Sequence, residues 1–447
     1  MLYEKLEAYS KSDWYPFHMP GHKRNPDGRL PAGLPYSMDI TEITGFDDLH
    51  HAGGILKEAM EQAAELYGAD ATYFLVNGST CGIQSAISGA ANPGDIVITA
   101  ANCHKSVHNT IFLRQMEEVV VTPTWREDVG IYGAILPEQI KEALEANPKA
   151  ACVVIVSPTY DGIVSPIGEI AKVCHQYGVP LVVDEAHGAH FRYHAYFPVS
   201  AVEQGADAVI QSVHKTLPAL TQTALLHCNG NRIPRERIQQ FLRIYESSSP
   251  SYVLLSSIEN CILWLEEHGR DAFADYVDRL EGFYEAAAKL KHLYVPYDGN
   301  QDRSKILISL RRYNQEHGTT ISGMWLKEQL GNHHLEMEMA GKDYVVALTS
   351  CMDTDEGFRR LAEALFTIDA KLDKPYEGGY DKWKDSQGEV AMQIAEILTH
   401  IGKPAEADYY VYPPGIILAA RGEMITSKKA DQLISYAKQG LKIQGLD

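Results

Sequence analysis

From residue 53 onward the chain alternates between two apolar patterns. GGILKEAMEQAAELYGA (53–69) spaces its apolar residues as one face of a helix and ends at a glycine, which predicts an amphipathic helix. TYFLV (72–76) is short, apolar and rich in β-formers, which predicts a strand. The alternation recurs: CGIQSAISGAA then DIVITA (95–100), KSVHNTIFLRQ then EVVVTPT (118–124), LPEQIKEALEAN then ACVVIVSP (151–158), and IGEIAKVCHQYG then PLVVDEA (180–186). DAVIQS (207–212) and TALLHC (223–228) complete seven strand-like runs. Nearly all are uniformly apolar. Strands of that kind are buried on both faces, so they predict an α/β fold with a mostly parallel sheet covered by helices.

After residue 250 the rhythm changes. SYVLLSSIENCILWLEEHG and DAFADYVDRLEGFYEAAAKL predict two long helices. SKILISL (304–310), ISGMWLKEQLG, DYVVALTS (343–350) and DEGFRRLAEALFTI predict a smaller α+β unit. The expected division is an N-terminal arm at 1–50, a large domain at 51–265 and a C-terminal α+β region at 266–447. The arm is irregular and rich in Pro, Gly, His and Asp, a composition that marks a functional or packing segment. PYEGGYDKWKDSQG (375–388) reads as an exposed loop.

Composition narrows the class. With 45% hydrophobic and 22% charged residues the chain fits a soluble globular enzyme. A net charge of −19 argues against non-specific nucleic-acid binding, which needs a basic surface. Seven cysteines are scattered without a CxxC pair, several in apolar runs, as expected for reduced, buried thiols. The first residues lack the basic and apolar regions of a signal peptide. No apolar run approaches the ~20 residues a membrane span needs. The expected setting is cytoplasmic, with no membrane partner.

In a parallel sheet, ligands bind at the carboxyl ends of the strands. Four such ends carry chemistry: NGSTCG (77–82), ANCHKS (101–106), DEAHGAH (184–190) and SVHK (212–215). Each has an ordinary reading beside the functional one. NGSTCG offers hydroxyls and backbone N–H groups at a helix start, either an anion site or a plain N-cap. It lacks the GxxxxGK[ST] pattern of a nucleoside-triphosphate loop. Asp184, after four apolar residues, is a site carboxylate or the member of a buried ion pair. His104 alone reads as a structural histidine and Lys215 alone as a surface lysine. His187, His190 and His194 have spacings that touch on metal binding, but a sheet-edge loop is a poor frame for it, and no metal is expected. Together the four ends supply an imine-forming lysine, an acid for a pyridine nitrogen, an anion cradle and a flat histidine. Pyridoxal 5′-phosphate requires such a set.

Here the chain resembles the pyridoxal-phosphate-dependent ornithine/lysine/arginine decarboxylases of the aspartate-aminotransferase fold (fold type I). The matching stretches are FHMPGHK (17–23), DITEITGFDDLHHAGGILKEA (39–59), FLVNGSTCG (74–82), CHKS (103–106), SPTYDG (157–162), DEAHGAH (184–190), SVHKTLPALTQ (212–222), SSSPSY (247–252) and YPPG (412–415). They run in order along nearly the whole chain. The resemblance is to the short form of the family, expected to be without a receiver-like N-terminal domain. By matching position, the resemblance implies that Lys215 carries the cofactor as an imine and Asp184 binds the pyridine nitrogen. His104 stacks on one ring face and Ala186 packs on the other. Ser79, Thr80 and the Cys81 backbone, with Ser212 and His214, hold the phosphate, and His187 lines the same pocket. The implied reaction is α-decarboxylation of a basic amino acid, arginine or lysine first and ornithine after them. Lys215 or His214 would return the proton at Cα. Rival readings are an aminotransferase, an aldolase or a lyase on the same fold, or a non-catalytic cofactor-binding protein. The resemblance also implies a homodimer or higher homo-oligomer with shared active sites, reached by SSSPSY or the arm. One position departs from the pattern: YPPGIILAARGE has Arg421 where similar chains often carry proline. That change bears on the C-terminal wall of the substrate pocket.

Overall fold

The computed structural model describes residues 13, 15–17, 47–297, 299, 301–373, 387–407, 409–411, 416–419, 421–438 and 443–446. Its centre is a seven-stranded sheet: β1 (Ala71–Leu75), β2 (Ile96–Ala100), β3 (Glu117–Val121), β4 (Ala150–Val156), β5 (Leu181–Asp184), β6 (Ala208–Ser212) and β7 (Ala224–Cys228). The spatial order is β1-β7-β6-β5-β4-β2-β3. β7 runs antiparallel to β1 and β6, and the other neighbours are parallel. All seven expected strands are present and the sheet is mostly parallel. β5, β6 and β7 are buried at every position, so their uninterrupted apolar runs face helices on both sides. β3 lies at the edge, and there Glu117 and Val120 are exposed.

Helices cover the sheet: α1 (Ile55–Tyr67), α2 (Gly78–Ala90), α3 (Lys105–Leu113), α4 (Pro137–Ala146) and α5 (Ile167–Gln176). α1 ends at Gly68 in the left-handed conformation, φ 70°, whose N–H closes onto the Ala64 and Glu65 carbonyls. α2 lies very close to the sheet. A Cβ at Gly82 would stand 2.6 Å from Leu75 Cδ1, so only glycine allows this approach. The short α6 (Val213–Thr216) follows β6, and α7 (Arg235–Tyr245) packs against α2.

The two long helices expected after residue 250 are one, α8 (Tyr252–Ala287), of 36 residues. The apparent break at EEHG does not interrupt it. Leu255, Ile258, Ile262, Leu265, Gly269, Ala272, Phe273, Tyr276 and Leu280 form a single buried stripe across the glycine. Burial along that stripe outweighs the roughly 1 kcal/mol cost of a mid-helix glycine. Ser251 caps the start, its hydroxyl accepting from the Leu254 N–H at 3.4 Å.

α8 carries the core from the central sheet into a second sheet, β8 (Lys305–Ser309), β9 (Met339–Ala340) and β10 (Tyr344–Leu348), all antiparallel in the order β8-β10-β9. One apolar cluster runs from Leu49 through α8 to Leu372, and a second fills the other face of the central sheet. A small third sheet joins Tyr409–Val411, Ile416–Ala419 and Ile443–Gln444. Tyr15–Phe17 pairs in parallel with Leu335–Met337. Of the loop expected at 375–388, residues 375–386 lie outside the described residues, and Gln387 begins a helix. The seven cysteines are all buried and free. Among the described residues no helix is long and apolar enough to cross a membrane.

The continuity of α8 is testable at Gly269. A Cβ there would make ordinary contacts, 3.5 Å from Tyr193 Cδ1 and 3.6 Å from Leu265 Cδ2. Gly269→Ala should therefore stabilise the protein, by roughly 0.5–1 kcal/mol in urea unfolding. A destabilised variant would indicate a helix break at this point.

Candidate active site

The chain segments leaving β1, β2, β5 and β6 meet above one end of the central sheet. α2 begins at Asn77, whose side chain makes no capping hydrogen bond; its Nδ2 donates to the Tyr245 carbonyl instead. The ordinary N-cap reading of NGSTCG therefore fails. The Gly78 N–H donates to the Gln222 carbonyl at 2.8 Å. The following N–H groups of the first turn have no acceptor within the helix. Ser79 Oγ lies 2.7 Å from Ser212 Oγ at the end of β6, so two strand ends bring two hydroxyls to one helix N-terminus. Such a cradle suits a phosphate. Thr80 is exposed on the same turn. Cys81 is buried with Sγ 3.3 Å from the Gly78 carbonyl, and burial pushes its thiol far above the usual range. It contributes packing and a backbone N–H.

Asp184 is the last residue of β5 and is buried. Its Oδ1 accepts the Ala186 N–H at 3.1 Å. Burial raises its carboxyl, and the Lys215 amine works against that rise. Ala186 is buried beside it, its carbonyl accepting the Ser212 N–H at 3.3 Å. Lys215 stands on α6, half-buried. Burial lowers its ammonium below the ordinary lysine range, with Asp184 and Glu338 opposing. Lys215 Nζ lies 3.0 Å from His187 Nε2. A Lys215 ammonium would donate to Nε2 and put the imidazole proton on Nδ1. That Nδ1 is buried without a hydrogen-bond partner among the described residues.

Two more histidines have assigned protons. His104 forms the N-cap of α3, with Nδ1 accepting the Ser106 N–H at 3.3 Å, so its proton is on Nε2. Burial, helped by Lys215 and Lys105, holds it down to about 4. It is thus a neutral, flat ring near pH 7. His214 donates Nδ1–H to the Thr223 carbonyl at 2.7 Å, which leaves Nε2 as a lone pair; burial holds this ring down to about 4 too.

Other histidines serve elsewhere. His190 Nε2 meets Asp302 Oδ1 at 3.1 Å, and His194 Nδ1 accepts the Tyr196 N–H at 3.1 Å. Among the described residues no three His, Cys, Asp or Glu side chains form a metal-ligand group. SSSPSY contacts its own chain: the Ser247 carbonyl lies 2.8 Å from His50 Nε2, and the Tyr252 hydroxyl donates to the Asp47 carbonyl at 2.6 Å. Arg421 stacks over the Phe112 ring of α3, 5.4 Å from its centroid. YPPG and residues 18–23 of FHMPGHK lie outside the described residues.

Four residues near the site escape a reading of the sequence: Tyr160, Asp302, Lys305 and Glu338. Glu338 acts electrostatically on both Lys215 and Lys305, and the Tyr160 hydroxyl donates to it. The one signal in the sequence is Lys305, a lysine heading an otherwise apolar strand.

A sheet of this order, with a lysine, a buried aspartate and a helix N-terminus at its strand ends, defines the fold type I class of pyridoxal-phosphate-dependent enzymes. The solved structure of lysine decarboxylase A from Pseudomonas aeruginosa shares that fold, with a TM-score of 0.73 at 18% identity over 98% of this chain and 75% of that one. The chain is 32% identical to uncharacterized protein YaaO of Bacillus subtilis, over 99% of this chain and 95% of that protein. It is 30% identical to an arginine decarboxylase of Halalkalibacterium halodurans, over 99% and 94% of the two. A sequence profile described as "Orn/Lys/Arg decarboxylase, major domain" matches residues 1–302. The chain belongs to the Orn/Lys/Arg decarboxylase family.

The neutral histidines have a consequence for pH. His104 and His214 titrate at about 4 when folded and near 6.5 when unfolded, so the unfolded chain binds more protons between those values. Stability should fall as pH drops from 6.5 towards 4. His104→Phe keeps a flat ring and should make this fall shallower by about one proton in urea unfolding series. An unchanged slope would show that His104 is charged in the folded protein.

Proposed function

We propose that this decarboxylase holds pyridoxal 5′-phosphate in its 51–265 region and converts a basic amino acid, arginine or lysine first, to its amine and CO2. The observation that carries the proposal is the meeting of Lys215, Asp184 and His104 at the strand ends of one sheet. The residues present fit the cofactor. The start of α2 is not capped by a side chain and carries two paired hydroxyls, and the buried Nδ1 of His187 lacks a partner among the described residues. Bound there, the cofactor would supply an electron sink for the pair left when the Cα–carboxylate bond breaks.

The chain's own groups divide the remaining work. Ser79, Ser212 and the N–H groups of Thr80 and Cys81 would hold the phosphate. Asp184, buried at the end of β5, would keep a proton on the pyridine nitrogen. His104 and Ala186 would confine the ring from its two faces. Burial lowers the Lys215 ammonium below the ordinary lysine range, against Asp184 and Glu338, which favours the deprotonated amine that an attack needs. Lys215 and His214 are the two candidates to return the proton at Cα. His214 has Nδ1–H committed to Thr223 and a proton-free Nε2 near pH 7, so it must first take up a proton before it can give one. The seven buried free thiols support the expected cytoplasmic setting. The expected homodimer belongs to the same proposal.

The full-length relative named arginine decarboxylase supports arginine as the first substrate to test. The experiment is a panel of arginine, lysine and ornithine with amine and CO2 measured. A keto-acid product in place of amine would transfer the chain to aminotransferase chemistry. Lys215→Ala should leave no steady-state release of CO2 above background. Asp184→Ala should bind the cofactor weakly and lose most activity. Sustained turnover by the Lys215 variant would defeat the assignment of that residue.

A further inference from the structure

Lys305 is the first residue of β8 and is completely buried. A buried ammonium costs several kcal/mol unless it is paired and hydrogen-bonded. Its surroundings are built for it. Asp302 Oδ2 forms an ion pair with Nζ, the His187 carbonyl accepts from Nζ at 3.0 Å, and Ser304 Oγ lies at 3.4 Å. Asp302 is held in turn by the Ser304 N–H at 3.0 Å and His190 Nε2 at 3.1 Å. The stem passes the SPTYDG turn that leaves β4. There Gly162 has φ +91°, and a Cβ on it would lie 3.2 Å from Lys305 Cβ and 3.1 Å from the Asp302 carbonyl. The Gly162 carbonyl accepts the Asp302 N–H at 2.7 Å. The turn is shaped to let this lysine through.

The clamp reaches the site through one residue. His187 offers its carbonyl to Lys305 and its ring Nε2 to Lys215, each at 3.0 Å. We propose that Lys305 is a positioning residue for Lys215, acting through His187: its bond to the His187 carbonyl fixes the imidazole whose Nε2 meets Lys215 Nζ, and it sets the buried Lys305–Asp302 pair behind the reactive amine. This rests on the reading of Lys215 as the amine that engages the cofactor. The groups facing Lys215 are Asp184 from β5, His104 from α3, His187, His214, and Glu338 and Lys305 from the second sheet and its approach. Asp184 and Glu338 favour its ammonium, whereas Lys305 favours the neutral amine.

The test compares the full-length chain with Lys305→Gln and with Lys305→Met/Asp302→Asn, which removes the buried pair together. Pyridoxal 5′-phosphate is added to cofactor-stripped protein across a pH series. Its attachment is followed by absorbance, borohydride fixation and peptide mapping to Lys215. Both variants should melt cooperatively and should shift the midpoint for attachment upward by about one pH unit. In steady state, kcat should fall about tenfold in the double variant with KM nearly unchanged. The fall should be smaller in Lys305→Gln, which keeps an N–H for the His187 carbonyl. A folded variant with the parent's midpoint and kcat overturns the proposal. Loss of cooperative melting in both variants also overturns it, because Lys305 would then serve the fold alone. Failure of the unaltered chain to attach the cofactor at Lys215 overturns the functional reading, and this proposal with it.

Discussion

A carboxylate and an amine are brought together at the end of an apolar sheet, and much of the site follows from what that costs. β5 is buried along its whole length, so Asp184 has almost no water to solvate it. Burial pushes both Asp184 and Lys215 towards their neutral forms, while each pushes the other towards charge. The result is a pair poised to change protonation with small changes in its surroundings. Such poise is useful in catalysis and unfavourable for stability. The neighbouring histidines add no charge near pH 7, because burial keeps them neutral as well.

The same constraint explains the second layer. The segment that carries Asp184, Ala186 and His187 is held in place by groups outside it. DEAHGAH is pinned at several points. The Glu185 carboxylate accepts from the Ser200 hydroxyl at 2.6 Å and from the Ala201 N–H at 2.7 Å. His190 binds Asp302, and the His187 carbonyl binds Lys305. Glu185 itself is pushed by burial up to about 7, a further cost accepted at this loop. The second sheet therefore does more than complete the core. It brings the Lys305–Asp302 pair beneath the His187 carbonyl and Glu338 towards Lys215.

This division decides what could be read from the chain. The seven strands are legible because double-sided burial writes an unbroken apolar run, and the strand-end motifs follow each run directly. Lys215, Asp184, His104 and Ser79 stand at those ends, while the roles expected of them come from the family resemblance. The long α8 reads in sequence as two helices because a glycine after charged residues is a local stop signal, whereas the buried stripe that overrides it is a tertiary effect. Lys305 and Asp302 are hidden for a related reason. Their partners, His187 and His190, are more than a hundred positions away, and no local pattern reports a contact across that separation. Charged residues in a strand are ordinarily solvent-facing, so only the fold reveals that this one is enclosed.

Arg421 gains a definite place from the structure. Its guanidinium lies over Phe112, and Lys105 of the same helix lies 5.9 Å from the Tyr410 ring of the third sheet. The C-terminal sheet therefore leans on α3 at both ends of that helix, and α3 begins at His104. An arginine can stack on a ring and a proline cannot supply that charge. The departure from the family pattern thus acts where the third sheet meets the helix that presents His104. It leaves Lys215, Asp184 and the phosphate cradle intact.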